Sequence, residues 1–273
     1  MDYSYILFNT MIYWSIGLVI GSYFAYGKFL NFSIGALVGM MGYIIYNIAN
    51  QGLNIQNILM IVALVVIYVW TNQILMKYFP NTKQRDHVWL VITIGLNIVI
   101  QNLVSYVYGP SSVGMHLFDA WPRVLFIVIL CISWITYYFL KGSLIGKIYT
   151  GIEENTKITD SLWIKTTKLL HRLFGWLFGL LAVNALFIIN ETNLKVTDGI
   201  FYLIKGIWIM ILVWIGKKEY MFIWALLYVL LEYLLFITLW LPIAYKETLV
   251  LVIILWVLLF KPEGLFMIHR RKI

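Results

Sequence analysis

The chain has 273 residues, 62% of them hydrophobic and only 12% charged, whereas a soluble domain carries about 45–50% apolar and about 25% charged residues. That balance excludes an ordinary water-soluble enzyme or binding module and points to apolar runs of about 20 residues, the length that matches a hydrocarbon layer about 30 Å thick. The net charge of +8 is dispersed between such runs and not gathered on one face or motif, which argues for orientation in a membrane and against nucleic-acid binding.

The N-terminus reads MDYSYILFNTMIYW, with Asp2 and no basic residue ahead of the first apolar run, so the expectation is a retained span and not a cleaved leader. Apolar continuity predicts nine segments in chain order, near 5–26, 31–49, 56–77, 88–108, 122–140, 171–190, 197–215, 219–239 and 243–261. Backbone polar groups cannot go unpaired in lipid, and no alternating strand pattern is present, so the segments are expected to be helices. The fold class expected is all-α: a polytopic integral membrane protein with about nine membrane-inserted helical segments, forming a single domain over 1–273.

Segment two is short and opens with Asn31 and Ser33, as a broken or re-entrant helix facing protein or a pathway does. Gly17 and Gly21, Gly35 and Gly39, and Gly175 and Gly179 have the GxxxG spacing that lets helix backbones approach. Packing is the leading role for them, Gly35 included, and substrate contact the lesser one. In segment four Gln101 and Asn102 either line a pathway or bond across helices, as do Asn97 there and Asn184 in segment six. Being adjacent, Gln101 and Asn102 point about 100° apart, so at most one faces a narrow lumen.

Lys and Arg accumulate in short cytoplasmic loops, and alternate loops here are basic. Lys28 follows segment one; Lys77, Lys83 and Arg85 follow three; Lys141, Lys147, Lys157, Lys165, Lys168 and Arg172 follow five. Lys217 and Lys218 follow seven, and Lys261, Arg270, Arg271 and Lys272 follow nine. These are sixteen of the twenty basic residues, against Arg123, Lys195 and Lys246 on the other side. The N-terminus is therefore expected outside and the C-terminus in the cytoplasm.

The long polar stretch 141–172 is where a soluble partner would dock. Ile148 and Ile152, then Ile158, Leu162 and Ile164, set among polar residues, predict one or two short amphipathic helices on the membrane surface or in a partner's groove; Thr159 or Asp160 is placed to cap the second. Within it, Gly142, Gly146 and Lys147 imitate a phosphate loop, but three residues and not four separate the glycines and Ile148 stands where Ser or Thr is needed. The chain itself is not expected to bind ATP, and any energy coupling must come from a partner.

Lys205 and Glu232 are the charges best placed inside spans, where each costs roughly 2.5–3.5 kcal/mol at a helix centre. At 1.5 Å per residue both fall at about the same depth, so a structural ion pair is the expectation, with gating or substrate contact behind it. The four histidines are dispersed and the single Cys131 lies in an apolar run, so neither a metal site nor an internal disulfide is proposed. No hydrolase motif is present.

Five stretches in order resemble the permeases of branched-chain amino acid ABC importers, the Liv type. GSYFA at 21–25 with FLNFSIGALVGMMGY at 29–43, TIGLNIVIQNLVSYVYGPSS at 93–112, IGKIYTGIEENTKITDSLWI at 145–164, KG at 205–206 with LLEYLL at 230–235, and LLFKPEGLF at 258–266 carry it. Departures are Ile34 in place of the family's histidine, Thr150-Gly151 in place of its basic-Ala pair, and a glycine-rich run reduced to Gly216. The resemblance implies a plasma-membrane permease subunit that moves a small solute, first a branched-chain or other amino acid, and does no covalent chemistry itself. It implies a second permease subunit, two cytoplasmic ATPase subunits that hold ATP and Mg, and an extracytoplasmic substrate-binding protein. It also makes 141–172 a coupling loop whose Lys147, Glu153, Glu154, Asn155 and Asp160 meet the ATPases. The rival readings are an intramembrane lipid-modifying enzyme, which calls for acidic clusters beyond Glu153 and Glu154, and a degenerate permease-like assembly protein without transport.

Overall fold

The computed structural model describes residues 3–27, 30–71, 85–114, 122–154, 166–213, 220–239 and 252. Among them the chain is all-helical. The helices are α1 (Tyr3–Gly27), α2 (Ser33–Gln51), α3 (Ile55–Val69), α4 (Arg85–Tyr108), α5 (Pro122–Gly142), α6 (Leu144–Glu154), α7 (Thr166–Glu191), α8 (Asp198–Val213) and α9 (Met221–Leu239). Four of them are long and apolar enough to cross a membrane, over Ile6–Tyr26, Ser33–Gln51, Val88–Tyr108 and Thr166–Asn190, and three apolar stretches are shorter. The predicted segment 243–261 lies outside the described residues apart from Val252, and the predicted segment 56–77 is described only as far as Thr71.

A helix that is apolar on every side has no face to offer water or headgroups and belongs in the middle of a bundle. α1 is such a helix: from Asn9 to Tyr26 every residue except Phe24 is buried, and α5, α6, α7, α8 and α9 surround it. α2 is the second interior rod, held by α3, α4, α7 and α8. Around them the outward faces remain apolar. Ile58, Leu59, Val62, Val65 and Val66 on α3, Val91, Ile98 and Val99 on α4, and Trp134 and Ile135 on α5 are all exposed. In water so wide an apolar surface would drive association; acyl chains solvate it.

Glycine sets the closest crossings. A Cβ at Gly35 would lie 2.7 Å from the Gly199 carbonyl oxygen, and one at Gly199 would collide with the Gly35 carbonyl, so α2 and α8 meet backbone to backbone. At the α1–α8 crossing a Cβ on Gly206 would lie 2.6 Å from the Ile20 side chain and 3.5 Å from the Gly17 nitrogen. The third predicted pair differs. Gly175 and Gly179 are exposed, and nothing lies within 4 Å of a Cβ at Gly179.

One end of the bundle carries α6. At the other, the α4–α5 and α7–α8 connections join through the antiparallel Val113–Leu194 bridge, with N–H to O=C distances of 2.9 and 2.8 Å. Tyr43 of α2 donates its hydroxyl to Ser111 O at 2.7 Å, tying the bridge to the interior.

Candidate functional site

Lys205 stands on α8 one residue before Gly206, and the near-contact of α1 and α8 there leaves its side chain facing inward. Its Nζ donates to Glu232 Oε1 on α9 at 3.1 Å and to the Tyr13 hydroxyl on α1 at 2.9 Å. Lys205 is 8% exposed and Glu232 3%. Tyr202 and Tyr228 pack their rings on Tyr13 at 6.2 and 5.8 Å between centroids. Opposite charges and a phenol acceptor give both ions what water would have given them, which is the condition for charge to persist in a low-dielectric interior. Three helices are thereby locked at one depth. Tyr13 was not among the residues singled out from sequence, because a tyrosine in an apolar run reads as one more apolar residue while its hydroxyl is its functional part.

Asn31 and Ser33 form the start of α2. Asn31 Oδ1 accepts from the Ser33 backbone N–H at 3.0 Å and from the Ser33 hydroxyl at 2.6 Å, the geometry of an Asx cap on an otherwise open helix N-terminus. A second acceptor arrives from another helix: Asn97, midway along α4, accepts from the Ala36 N–H at 3.1 Å. Asn31, Ser33 and Asn97 are all buried. α2 is thus a continuous helix whose first turn sits level with the middle of α4, and its capping groups are spent on backbone. The sequence places Asn31 and Ser33 at a break; the structure gives them capping as their bonded role. Gly35 is occupied by its contact with Gly199. Gln101 is half-buried and Asn102 exposed, so the two do diverge around α4.

α6 lies across the ends of α1 and α7. Ser143 starts it: the Ser143 hydroxyl accepts from the Gly146 N–H at 2.8 Å and donates to Phe139 O at 2.6 Å, an N-cap that also fastens the helix to α5. Gly146 is required by the sharp reversal, since a Cβ there would lie 2.6 Å from the Phe139 and Leu140 carbonyl oxygens. Gly146, Tyr149 and Ile152 are buried and recur every three residues, defining the inner face. Tyr149 donates to Leu169 O on α7 at 2.9 Å and sets its ring 5.5 Å from Tyr26 of α1. Burial raises the Tyr149 hydroxyl above its ordinary value, against a smaller opposing pull from Arg172, so it stays a neutral donor.

The outer face of α6 is Leu144, Ile145, Lys147 and Thr150, all exposed. Of the residues expected to meet a partner, Lys147 is on this face, Glu153 and Glu154 belong to the last turn of α6, and Asn155 and Asp160 lie outside the described residues. The polar loop expected over 141–172 is shorter than its sequence range. α5 runs to Gly142 and α7 begins at Thr166, so Lys168, His171 and Arg172 are helical. Polar residues at the end of a span do not stop a helix when its backbone is already hydrogen-bonded. No three His, Cys, Asp or Glu side chains gather among the described residues.

No protein family matches the chain by sequence, and no curated protein does. Its fold is similar to a solved structure described as PsaBC from Streptococcus pneumoniae in complex with Fab, at 10% sequence identity and a TM-score of 0.53, over 94% of this chain and 91% of that one. At that identity the likeness is one of fold, and it extends over nearly the whole length of both chains.

Proposed function

We propose that the chain is the membrane-spanning permease subunit of an ABC-type transporter, which moves a small solute across the plasma membrane while separate subunits hydrolyse ATP. The reading rests on the ordered stretches that resemble Liv-type permeases, TIGLNIVIQNLVSYVYGPSS at 93–112 and IGKIYTGIEENTKITDSLWI at 145–164 among them, with a fold similar to PsaBC from end to end. α6 adds to it. A short amphipathic helix pinned by its inner face to α1 and α7, with Lys147 on its free face, is a lever: force on it reaches the central rod directly. In this reading α6 faces the cytosol, the N-terminus lies outside and the C-terminus inside. Two ATPase subunits dock on the 141–172 region, a second permease subunit completes the channel, and an extracytoplasmic binding protein delivers solute. ATP and Mg belong to the ATPases.

The cargo proposed from the sequence resemblance is a branched-chain or other amino acid. The likeness of fold, at 10% identity, bears on the architecture and not on the cargo.

The test is co-purification. Tagged chain extracted in mild detergent should bring down a nucleotide-binding subunit and ATP hydrolysis, and Lys147→Glu with Glu154→Ala should lose both while the permease still folds. A preparation with no ATPase subunit, or a complex indifferent to those changes, would contradict the reading.

A further inference from the structure

We propose that the outer face of α7 binds an anionic phospholipid, with its phosphate on Lys168 and Arg172 and an acyl chain laid along Gly175 and Gly179. At 100° per residue these four fall within a stripe about 60° wide, and all four are exposed. The apolar span Thr166–Asn190 has 25 residues, about 37 Å at 1.5 Å per residue, against about 30 Å of hydrocarbon. The surplus puts Lys168 and Arg172, in the first two turns, at headgroup level and leaves Gly175 and Gly179 beside acyl chains.

Two walls make the stripe a groove. On one side stands Trp176, 51% exposed, whose Nε1 donates to Thr136 Oγ1 of α5 at 2.8 Å and so holds the indole at the α5–α7 seam. On the other, Phe178 packs its ring on Tyr68 of α3 at 4.3 Å between centroids, and the Tyr68 hydroxyl lies 3.5 Å from where a Cβ on Gly175 would stand. Between the walls a Cβ on Gly179 would meet nothing within 4 Å. The floor is therefore bare backbone, which an acyl chain can approach more closely than it could a surface of side chains.

The occupant follows from the change of polarity along the groove. Its head is cationic, and among the described residues neither Lys168 nor Arg172 has an ion-pair partner. Its tail is apolar and lies between aromatic rings. A soluble anion matches the head alone and an apolar helix the tail alone, whereas a lipid with a net negative headgroup matches both; basic pockets at the ends of spans recognise such headgroups. The exposed α3 face, from Ile58 to Val66, has no cation along it and offers lipid no comparable hold. The inference needs α7 to stand in a bilayer and does not depend on the transporter reading. In the orientation proposed above, the site opens to the cytoplasmic leaflet.

Native mass spectrometry of the detergent-extracted chain, supplied with phosphatidylglycerol or phosphatidylcholine, tests it. The 31.9 kDa chain should retain one phosphatidylglycerol and several-fold less phosphatidylcholine, and inorganic phosphate at the same concentration should not displace the bound lipid. Lys168→Gln and Arg172→Gln should each lower retention several-fold, whereas Lys195→Gln, the same loss of charge at the opposite end of the bundle, should not. Gly179→Leu keeps every charge but fills the floor, and it too should lower retention several-fold. The substituted positions are exposed, so unfolding midpoints without added lipid should match the parent's. Equal retention of the two lipids would overturn the proposal. So would a loss on Lys195→Gln as large as on Arg172→Gln, or full retention by Gly179→Leu, since either would mean diffuse attraction to charge and no built groove.

Discussion

α1 and α6 are opposite solutions to placing a helix in this protein. α1 is buried on all sides, and its polar contacts with other helices, Tyr13 to Lys205 and Ser15 to Asn184, are internal. α6 buries only Gly146, Tyr149 and Ile152 and turns Lys147 outward. The first therefore tolerates change poorly and carries the architecture; the second is free to vary on its outer face without loss of fold, which is what a docking surface needs. Tyr149 against Tyr26 joins the two, so motion imposed on the surface helix has a direct route to the interior rod.

The largest effect should come from breaking the interior charge pair. Lys205→Met leaves the Glu232 carboxylate buried among tyrosines, and loss of one partner of a buried pair costs about 3–5 kcal/mol. Thermal unfolding in detergent should show a large fall for Lys205→Met and a much smaller one for Lys205→Met with Glu232→Leu. Additive losses would mean that the pair does not act as a unit.

Next in size is the α2–α8 crossing. Gly199→Ala puts a methyl onto the Gly35 carbonyl and should cost about 1–3 kcal/mol, the range for overpacking. Gly179→Ala, with open space at its Cβ, should change stability by less than about 0.5 kcal/mol. A ranking in the reverse order would contradict the crossing. Asn97→Ala removes the second cap of α2 and should cost about 1 kcal/mol, as lost helix caps do, with Asn97→Ser recovering part of it. Smallest of all, Lys147→Glu should leave the unfolding midpoint within error of the parent, since its side chain is exposed, and so separate docking from folding.

Much of this was legible in the sequence because the bilayer imposes one length and one polarity on every span. The apolar runs mark α1, α2, α4, α5, α7, α8 and α9 to within a few residues, apart from the earlier start of α7. Lys205 and Glu232 stood out because charge inside a span demands a partner, and the structure brings them together. Ile148 and Ile152 announced the amphipathic α6. What did not show was whatever depends on which neighbour a residue meets. Tyr13 hides in an apolar run. Asn97 is one of several span amides, and only the depth at which α2 starts makes it a cap. Gly175 and Gly179 share a spacing with Gly17 and Gly21 yet face outward, since spacing fixes a common face without saying what that face touches. Gly199 has no small partner four residues away, so its crossing with Gly35 left no pattern to read.

The account turns on α6 facing the cytosol. In a Cys131→Ser background, Lys147→Cys should resist a membrane-impermeant maleimide in intact cells and react fully once the cells are permeabilised. Labelling in intact cells to the extent seen after permeabilisation would place α6 outside and contradict the coupling role.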